Sequence, residues 1–249
     1  MIYVLEYHLI NYRRTWRSST LSSLVLPLLT MLGFGVGVGA YVTGGVEGHP
    51  YLAWMVPGLI ASAAVQTAFG EATWPVRAFF EWVRSYFAQA AAPLRVSDIV
   101  GGHLAFMMFR VLLSVVAFLL VAALFGALGS VWALAVLPIS VLVGLSVAAP
   151  VMAYTAGVGS DTMLTVLMRF ALLPMSLFSG VFFPLDALPE VLRWAAYVLP
   201  LSHGVELSRA ATLGLDLGVT AVWHVLYLAL WAAAGWALAV WRYRNRLVV

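Results

Sequence analysis

The chain has no cysteine, no lysine and very little charge. Without cysteine it can form no disulfide, no thiolate metal site and no cysteine nucleophile. All 13 basic residues are arginine. A Walker A loop needs a lysine to reach the nucleotide phosphates, so that motif is excluded. Charged residues make up 9% of 249 positions, against about 25% in an ordinary soluble domain. The N-terminus also lacks the features of a removable signal peptide. Glu6, Asn11, Arg13, Arg14 and Arg17 crowd residues 1–20, and no short apolar stretch leads to a small-residue cleavage site.

What the chain has is hydrocarbon. Hydrophobic residues reach 63%, more than a soluble fold of this length could bury. A membrane helix needs about 20 apolar residues. Six such stretches are expected, at 21–40, 51–70, 99–124, 131–156, 163–183 and 221–241. The reading is an all-α membrane protein forming one domain over 1–249, with the lipid bilayer as its solvent. The net charge of +3 is no sign of nucleic-acid binding, because the arginines gather at span ends.

Arginine placement orients the bundle by the positive-inside rule. Arg13, Arg14, Arg17, Arg77, Arg84, Arg95, Arg242, Arg244 and Arg246 fall on one side of an even number of spans. Only Arg193 and Arg209 fall on the other. Both termini are therefore expected in the cytoplasm. Tyr12, Trp16, Trp241 and Tyr243 are placed to sit at the cytoplasmic interface, and Trp54 and Trp223 at the opposite one.

Three segments outside the spans carry the functional signal. In residues 2–17, Ile2, Leu5, Leu9, Tyr12 and Trp16 recur at helical spacing opposite Glu6, Arg13 and Arg17, which predicts an interfacial amphipathic helix. In residues 76–95, Phe79, Val83, Phe87, Ala90 and Leu94 make one face, and Arg77, Glu81 and Arg84 another. That pattern predicts a second amphipathic helix, stopped near Pro93. It is either a connector lying on the membrane or a helix that docks into a cytoplasmic subunit. Between spans five and six, Pro189 suits the first turn of one helix and Ser202 the N-cap of another ending at Gly214. Neither is long enough to span, so an external helical hairpin is expected there.

No catalytic constellation stands out. His203 and Glu206 lie one helical turn apart, but two residues do not make a metal site. Asp186 and Glu190 fit helix flanking better than diphosphate binding. Gly33, Gly35, Gly37 and Gly39 permit close helix contact, within the subunit or between subunits. Arg110, near the middle of span three, costs about 2.5–3.5 kcal/mol in lipid unless it is partnered. Glu71 is its candidate partner, and the pair is read as a structural ion pair in preference to a substrate contact.

The order of these parts resembles the membrane subunits of ABC type-2 exporters. The resemblance rests on Tyr51–Gly58 (YLAWMVPG) with Thr67, Ala68 and Glu71. It rests also on Pro93-Leu94 followed by Ser97–Gly102, and on Phe178–Pro184 with Leu188-Pro189 and Leu199–His203. The match is especially similar to the nodulation-type lipo-oligosaccharide exporter permeases and their drug-exporting relatives, and covers nearly the whole chain. It implies a membrane-spanning permease subunit that is not itself an enzyme and holds no cofactor. ATP and magnesium would belong to a separately encoded ABC ATP-binding subunit present in two copies. A second membrane subunit, identical to this one, would complete the exporter in a bacterial plasma membrane.

The resemblance also implies roles for residues. Arg77, Glu81, Val83, Arg84, Phe87 and Leu94 would couple to the ATPase through a cytoplasmic coupling helix. Pro57, Gln66, Phe69, Pro174, Phe178 and Phe182 would line a path suited to an amphiphile such as a lipid, glycolipid or hydrophobic drug. The competing readings are a membrane-embedded lipid-modifying enzyme and a structural membrane subunit that moves nothing.

Overall fold

The computed structural model describes residues 1–39, 41–42 and 44–248, without the side chains of 15, 17–24, 26, 35, 36 and 131. Arg17's side chain and Ala40, the far end of the first expected span, thus lie outside the described residues. No strand occurs among the described residues. The order is α1 (Ile2–Thr30), continued by a π-helical stretch Met31–Val38, then α2 (Tyr51–Ala72), α3 (Trp74–Glu81), α4 (Ser85–Ala90) and α5 (Val96–Leu124). A 3-10 turn at Val131–Ala135 leads into α6 (Val136–Gly157). Next come α7 (Asp161–Leu167), a π turn Met168–Leu172 and α8 (Leu173–Phe178). The chain closes with α9 (Glu190–Val198), α10 (Pro200–Leu213) and α11 (Val219–Leu247).

Among the described residues, five helical stretches are long and apolar enough to cross a membrane, 51–81, 96–124, 132–157, 161–178 and 219–247, and the expected first span, 21–40, is not among them. Local chemistry sets several of their ends. Asp98 reaches back to the Arg95 N–H at 3.3 Å and opens α5. Ser130 Oγ accepts from the Trp132 N–H at 3.1 Å and starts the turn before α6. Gly214, at φ 70°, closes α10 in the left-handed conformation.

The core lies between α2, α5, α6 and α10. α11 packs along α6, where a Cβ on Gly235 would overlap the Pro150 ring. Gly58 of α2 lies against the backbone of Val181, where a Cβ would come within 3.0 Å of the Val181 Cα. Both termini and the α3–α4 segment gather at one end of the bundle, shown by contacts of Met1 with Asp98 and of Arg246 with Glu81. That end is called the termini end below. The α9–α10 hairpin lies at the other, the hairpin end.

Four expectations change. Residues 2–17 are not a separate helix; they open α1, which runs unbroken to Thr30. Its inward face is Val4 and His8, while Ile2, Tyr3 and Ile10 are exposed. Val4 sits against Gly102, and His8 stacks on His103 at 4.2 Å between ring centroids, so the glycine pair of α5 selects which stripe packs. Residues 76–95 form two short helices, because Arg84 turns the backbone left-handed at φ 54°, ψ 24°. Ser202 does not cap α10: Leu199 holds that position, and Ser202 Oγ donates to Ala196 O and Leu199 O, both at 2.7 Å. Trp54 is fully buried, with no part of its ring at a lipid interface.

Candidate coupling surface and transport path

The termini end is built around a bend. Thr73 breaks α2 from α3, and its hydroxyl donates to Phe69 O at 3.1 Å and Gly70 O at 3.0 Å. Pro75 then lies in the first turn of α3, where its missing N–H costs nothing. Trp82, Val83 and Arg84 form the corner between α3 and α4. Trp82 is 64% exposed, Val83 58% and Phe87 41%. The corner thus exposes three large apolar side chains within six residues.

Aromatic packing fixes the underside of this corner. Phe80 and Tyr86 are buried with ring centroids 4.6 Å apart, and Tyr243 of α11 lies 4.9 Å from Phe80 and 5.1 Å from Tyr86. The Tyr86 hydroxyl meets His103 Nδ1. Burial pushes the Tyr86 phenol well above its usual range, so it stays protonated.

Of the six residues expected to couple, two are held in ion pairs, Arg77 buried and Glu81 still exposed. Arg77 pairs with Asp161 and donates to Val158 O at 2.9 Å. Glu81 pairs with Arg246, whose guanidinium also lies 4.2 Å over the Phe80 ring. Val83, Arg84 and Phe87 lie on the exposed corner, and Leu94 is half-buried against the core.

The six expected path residues do not share one surface. Pro57 and Phe69 are buried within α2, and Gln66 is exposed, its amide donating to Ser62 Oγ at 3.1 Å. Pro174 opens α8, and Phe178 packs with Leu185, Leu188 and Ala196 beneath the hairpin. Phe182 is half-buried, with its ring 5.3 Å from Phe34. Phe69 also lines an apolar cavity of about 220 Å³ between α2, α6, α7 and α11, bounded by Val147, Pro150, Ala171, Met175 and Trp231.

Two partly buried ion pairs lie deeper. Arg110 Nε donates to Glu71 Oε1 at 3.0 Å, and its guanidinium stands 4.9 Å from the Tyr12 ring. A hydrogen-bonded carboxylate and an aromatic face are what an arginine needs far from water. At the hairpin end, Arg209 is 4% exposed. It pairs with Glu206 at 3.2 Å, donates to Gly180 O at 2.8 Å and stacks 3.9 Å over the Trp54 ring. Trp54 Nε1 in turn donates to Glu47 at 2.9 Å. One arginine thus ties α10 to α2 and to the turn after α8. Burial raises the Glu206 carboxyl above its ordinary range, and Arg209 opposes that shift.

His203 faces His224 at 2.7 Å between Nδ1 atoms, and its Nε2 meets Tyr197 O at 2.9 Å. Asp186 pairs with Arg193 at 3.4 Å and braces the turn before α9. Among the described residues, no three His, Asp or Glu side chains gather as a metal site. Trp82 and Asp161 escaped sequence reasoning, Arg246 was read only for orientation, and Tyr243, expected at the cytoplasmic interface, is instead fully buried. Asp161 lies 84 residues from Arg77, and no local pattern announces such a pair.

Residues 1–213 match the family described as ABC-2 type transporter. The chain is 32% identical to Nodulation protein J of Sinorhizobium fredii over 231 residues, covering 93% of this chain and 87% of that one. It is 31% identical to Nodulation protein J of Rhizobium leguminosarum bv. trifolii, covering 96% and 90%. With the Rhizobium meliloti protein of the same name it shares 29% identity, covering 95% and 90%. The family match runs from α1 through the bend to the end of α10 and stops before α11, and the chain belongs to the ABC-2 type transporter membrane family.

Proposed function

We propose that this chain is the permease subunit of an ATP-driven exporter that moves a lipid, glycolipid or hydrophobic drug outward across a bacterial plasma membrane. Lipo-oligosaccharides belong to that class, in line with the nodulation proteins it is similar to. α1 with its π-helical continuation serves as a sixth span beside the five apolar stretches. Nine arginines against two support a cytoplasmic position for both termini and the α3–α4 corner.

The observation that carries this reading is the corner itself. Trp82, Val83 and Phe87 are exposed on a backbone clamped from beneath by Phe80, Tyr86 and Tyr243. A rigid apolar projection beside the membrane suits a groove in a separately encoded ATPase, with two such subunits serving two permeases. There Val83, Arg84 and Phe87 make the contact. ATP and magnesium bind to the partner, and the closing of the nucleotide subunits is delivered at this corner.

The outward apolar faces of the π-helical stretch (Leu32, Phe34, Val38) and of α7–α8 (Phe170, Leu173, Leu177) are free for a second copy of the chain. Such a dimer encloses a path between the two copies. Phe34, Phe178 and Phe182 lie toward its outer mouth, Gln66 and Pro174 lie deeper, and Pro57 and Phe69, buried within the subunit, back the wall from behind. An apolar, aromatic wall suits an amphiphile carried with its chain in the hydrocarbon.

The test is capture and turnover. The tagged chain is purified from its own host in mild detergent, and ATPase activity is measured on the chain alone and on whatever co-purifies. The proposal expects no hydrolysis by the isolated chain and a co-purifying ATP-hydrolysing subunit whose rate changes with added lipids or drugs in liposomes. ATP hydrolysis by the isolated chain, or a C-terminus labelled from outside the cell, would refute it.

A further inference from the structure

α6 ends at Gly157, and two arginines from different elements meet that end. Arg246 of α11 donates to Ala156 O at 2.8 Å. Arg77 of α3 donates to Val158 O at 2.9 Å and to Gly159 O at 3.4 Å. A helix C-terminus carries partial negative charge and unsatisfied carbonyls, so both cations are stabilised there. Each also holds a carboxylate from another element. Arg77 holds Asp161, the first residue of α7, and Arg246 holds Glu81, the last residue of α3.

α3 is therefore fastened twice across the end of α6. Near its start it is fastened to α7, and at its end to α11. One ion pair would act as a pivot; two, one helical turn apart on α3, resist rotation. The two branches lead to unequal neighbours. α11 lies along α6, with Gly235 close on Pro150. α7–α8 has few buried residues, among them Leu164 and Met175, and so has little to hold it against a pull at its first turn.

We propose that Arg77–Asp161 and Glu81–Arg246 form a two-point relay that carries displacement of the α3–α4 corner into α7, with α11 as the fixed side. The four are positioning residues: Arg77 is buried, Arg246, Glu81 and Asp161 are partly exposed but paired across elements, and contact with the ATPase is left to the corner of Trp82, Val83, Arg84 and Phe87. The relay rests on the exporter reading given above, and its outcome is separable from it.

The chain has no cysteine, so Ala88→Cys on α4 and Met163→Cys on α7, both exposed, take spin labels without interference. The labelled permease is reconstituted with its co-purified ATPase. The label–label distance is measured by pulsed EPR with and without a non-hydrolysable ATP analogue, and transport per ATP is measured in parallel. In the otherwise unaltered chain the two labels should move together and keep their separation. In Arg77→Gln the separation should change on nucleotide binding, and transport per ATP should fall about tenfold, the weight of one charge-assisted hydrogen-bond set, with the ATPase still bound. Arg77→Lys, which keeps a cation between Asp161 and the Val158 carbonyl, should restore most of both.

Asp161 is half exposed, so Asp161→Asn tests the same branch if Arg77→Gln does not fold, and the same uncoupling is expected of it. Transport per ATP equal to the unaltered chain in either variant would overturn the relay. So would loss of the ATPase from the complex, because these residues would then belong to the docking surface. An unaltered chain that captures no ATPase would overturn the exporter reading and the relay with it. A captured ATPase without uncoupling in the variants overturns the relay alone.

Discussion

Replacing Arg209 with methionine should destabilise the protein more than any change on its surface. The guanidinium is 4% exposed and serves Glu206, the Gly180 carbonyl and the Trp54 ring at once. Removing one member of a buried ion pair costs about 3–5 kcal/mol, because the other charge is left behind. The Glu206 side chain keeps 33% of its exposure, which favours the lower end of that range. The orphaned Gly180 carbonyl adds about 1 kcal/mol, and methionine still packs on Trp54. A loss of about 3–4 kcal/mol corresponds to about 10 °C in a chain of this length.

The deficit should also depend on pH. Burial already raises the Glu206 carboxyl, and Arg209 holds it down. Without Arg209 the folded-state pKa climbs further above the unfolded value. The folded variant then binds a proton that the unfolded chain does not. Its deficit is full above that raised pKa and shrinks as pH falls towards the ordinary carboxylate range. Tryptophan-fluorescence melts in detergent at pH 8 and pH 5.5 measure both effects. The double variant Arg209→Met/Glu206→Gln should melt above the single one at pH 8. A shift below about 3 °C, roughly 1 kcal/mol on this scale, would refute the reasoning, as would a double variant no better than the single.

Three other expectations can be checked with the same material. Trp82→Ala and Phe87→Ala should each weaken ATPase binding about 30-fold, the weight of a 2 kcal/mol anchor, with unchanged melting, and an unaltered Kd would remove the corner from the interface. Arg110→Met should lower the melting temperature by about 6–12 °C by stranding Glu71, and Arg110→Met/Glu71→Gln should recover most of it; equal melting of the two variants would show that the pair carries no load. Gly58→Val should cost about 1–3 kcal/mol and impair transport, because its Cβ meets the Val181 backbone, whereas Gly70→Ala, with open space around it, should be neutral or slightly stabilising in the same melts.

The apolar helices were legible because their signal is local. Long apolar runs, broken in α5 only by Arg110, fix where α2, α5, α6 and α11 lie to within a few residues, and Gly214 sits where a helix end needs it. The solvation cost of Arg110 likewise pointed to a carboxylate, and Glu71 is the one it meets. The α3–α4 corner was hidden. Phe79, Val83, Phe87, Ala90 and Leu94 fit one helical face, and no glycine or proline at 82–84 warns of a break.

The face that α1 buries could not be read from its own residues either. Ile2 and Leu9 are more apolar than His8, but the shape of Gly101–Gly102 on α5 and the His103 ring decide for Val4 and His8. Trp54 looked like an interfacial anchor and is instead the floor beneath Arg209. Arg77–Asp161 and Glu81–Arg246 join residues 84 and 165 positions apart, beyond the reach of any periodicity.

The left-handed turn at Arg84 has one further consequence. A residue with a Cβ sits in that conformation at a penalty of roughly 1–2 kcal/mol, so a straight helix through this position would be the easier local choice. It is denied because straightening would drag Phe80 and Tyr86 out of the aromatic nest they share with Tyr243. The knuckle is stiff for a reason that lies outside its own backbone. A blow landing on it cannot be absorbed by unbending, and whatever strikes Trp82 shifts the floor on which Tyr86 and Tyr243 rest.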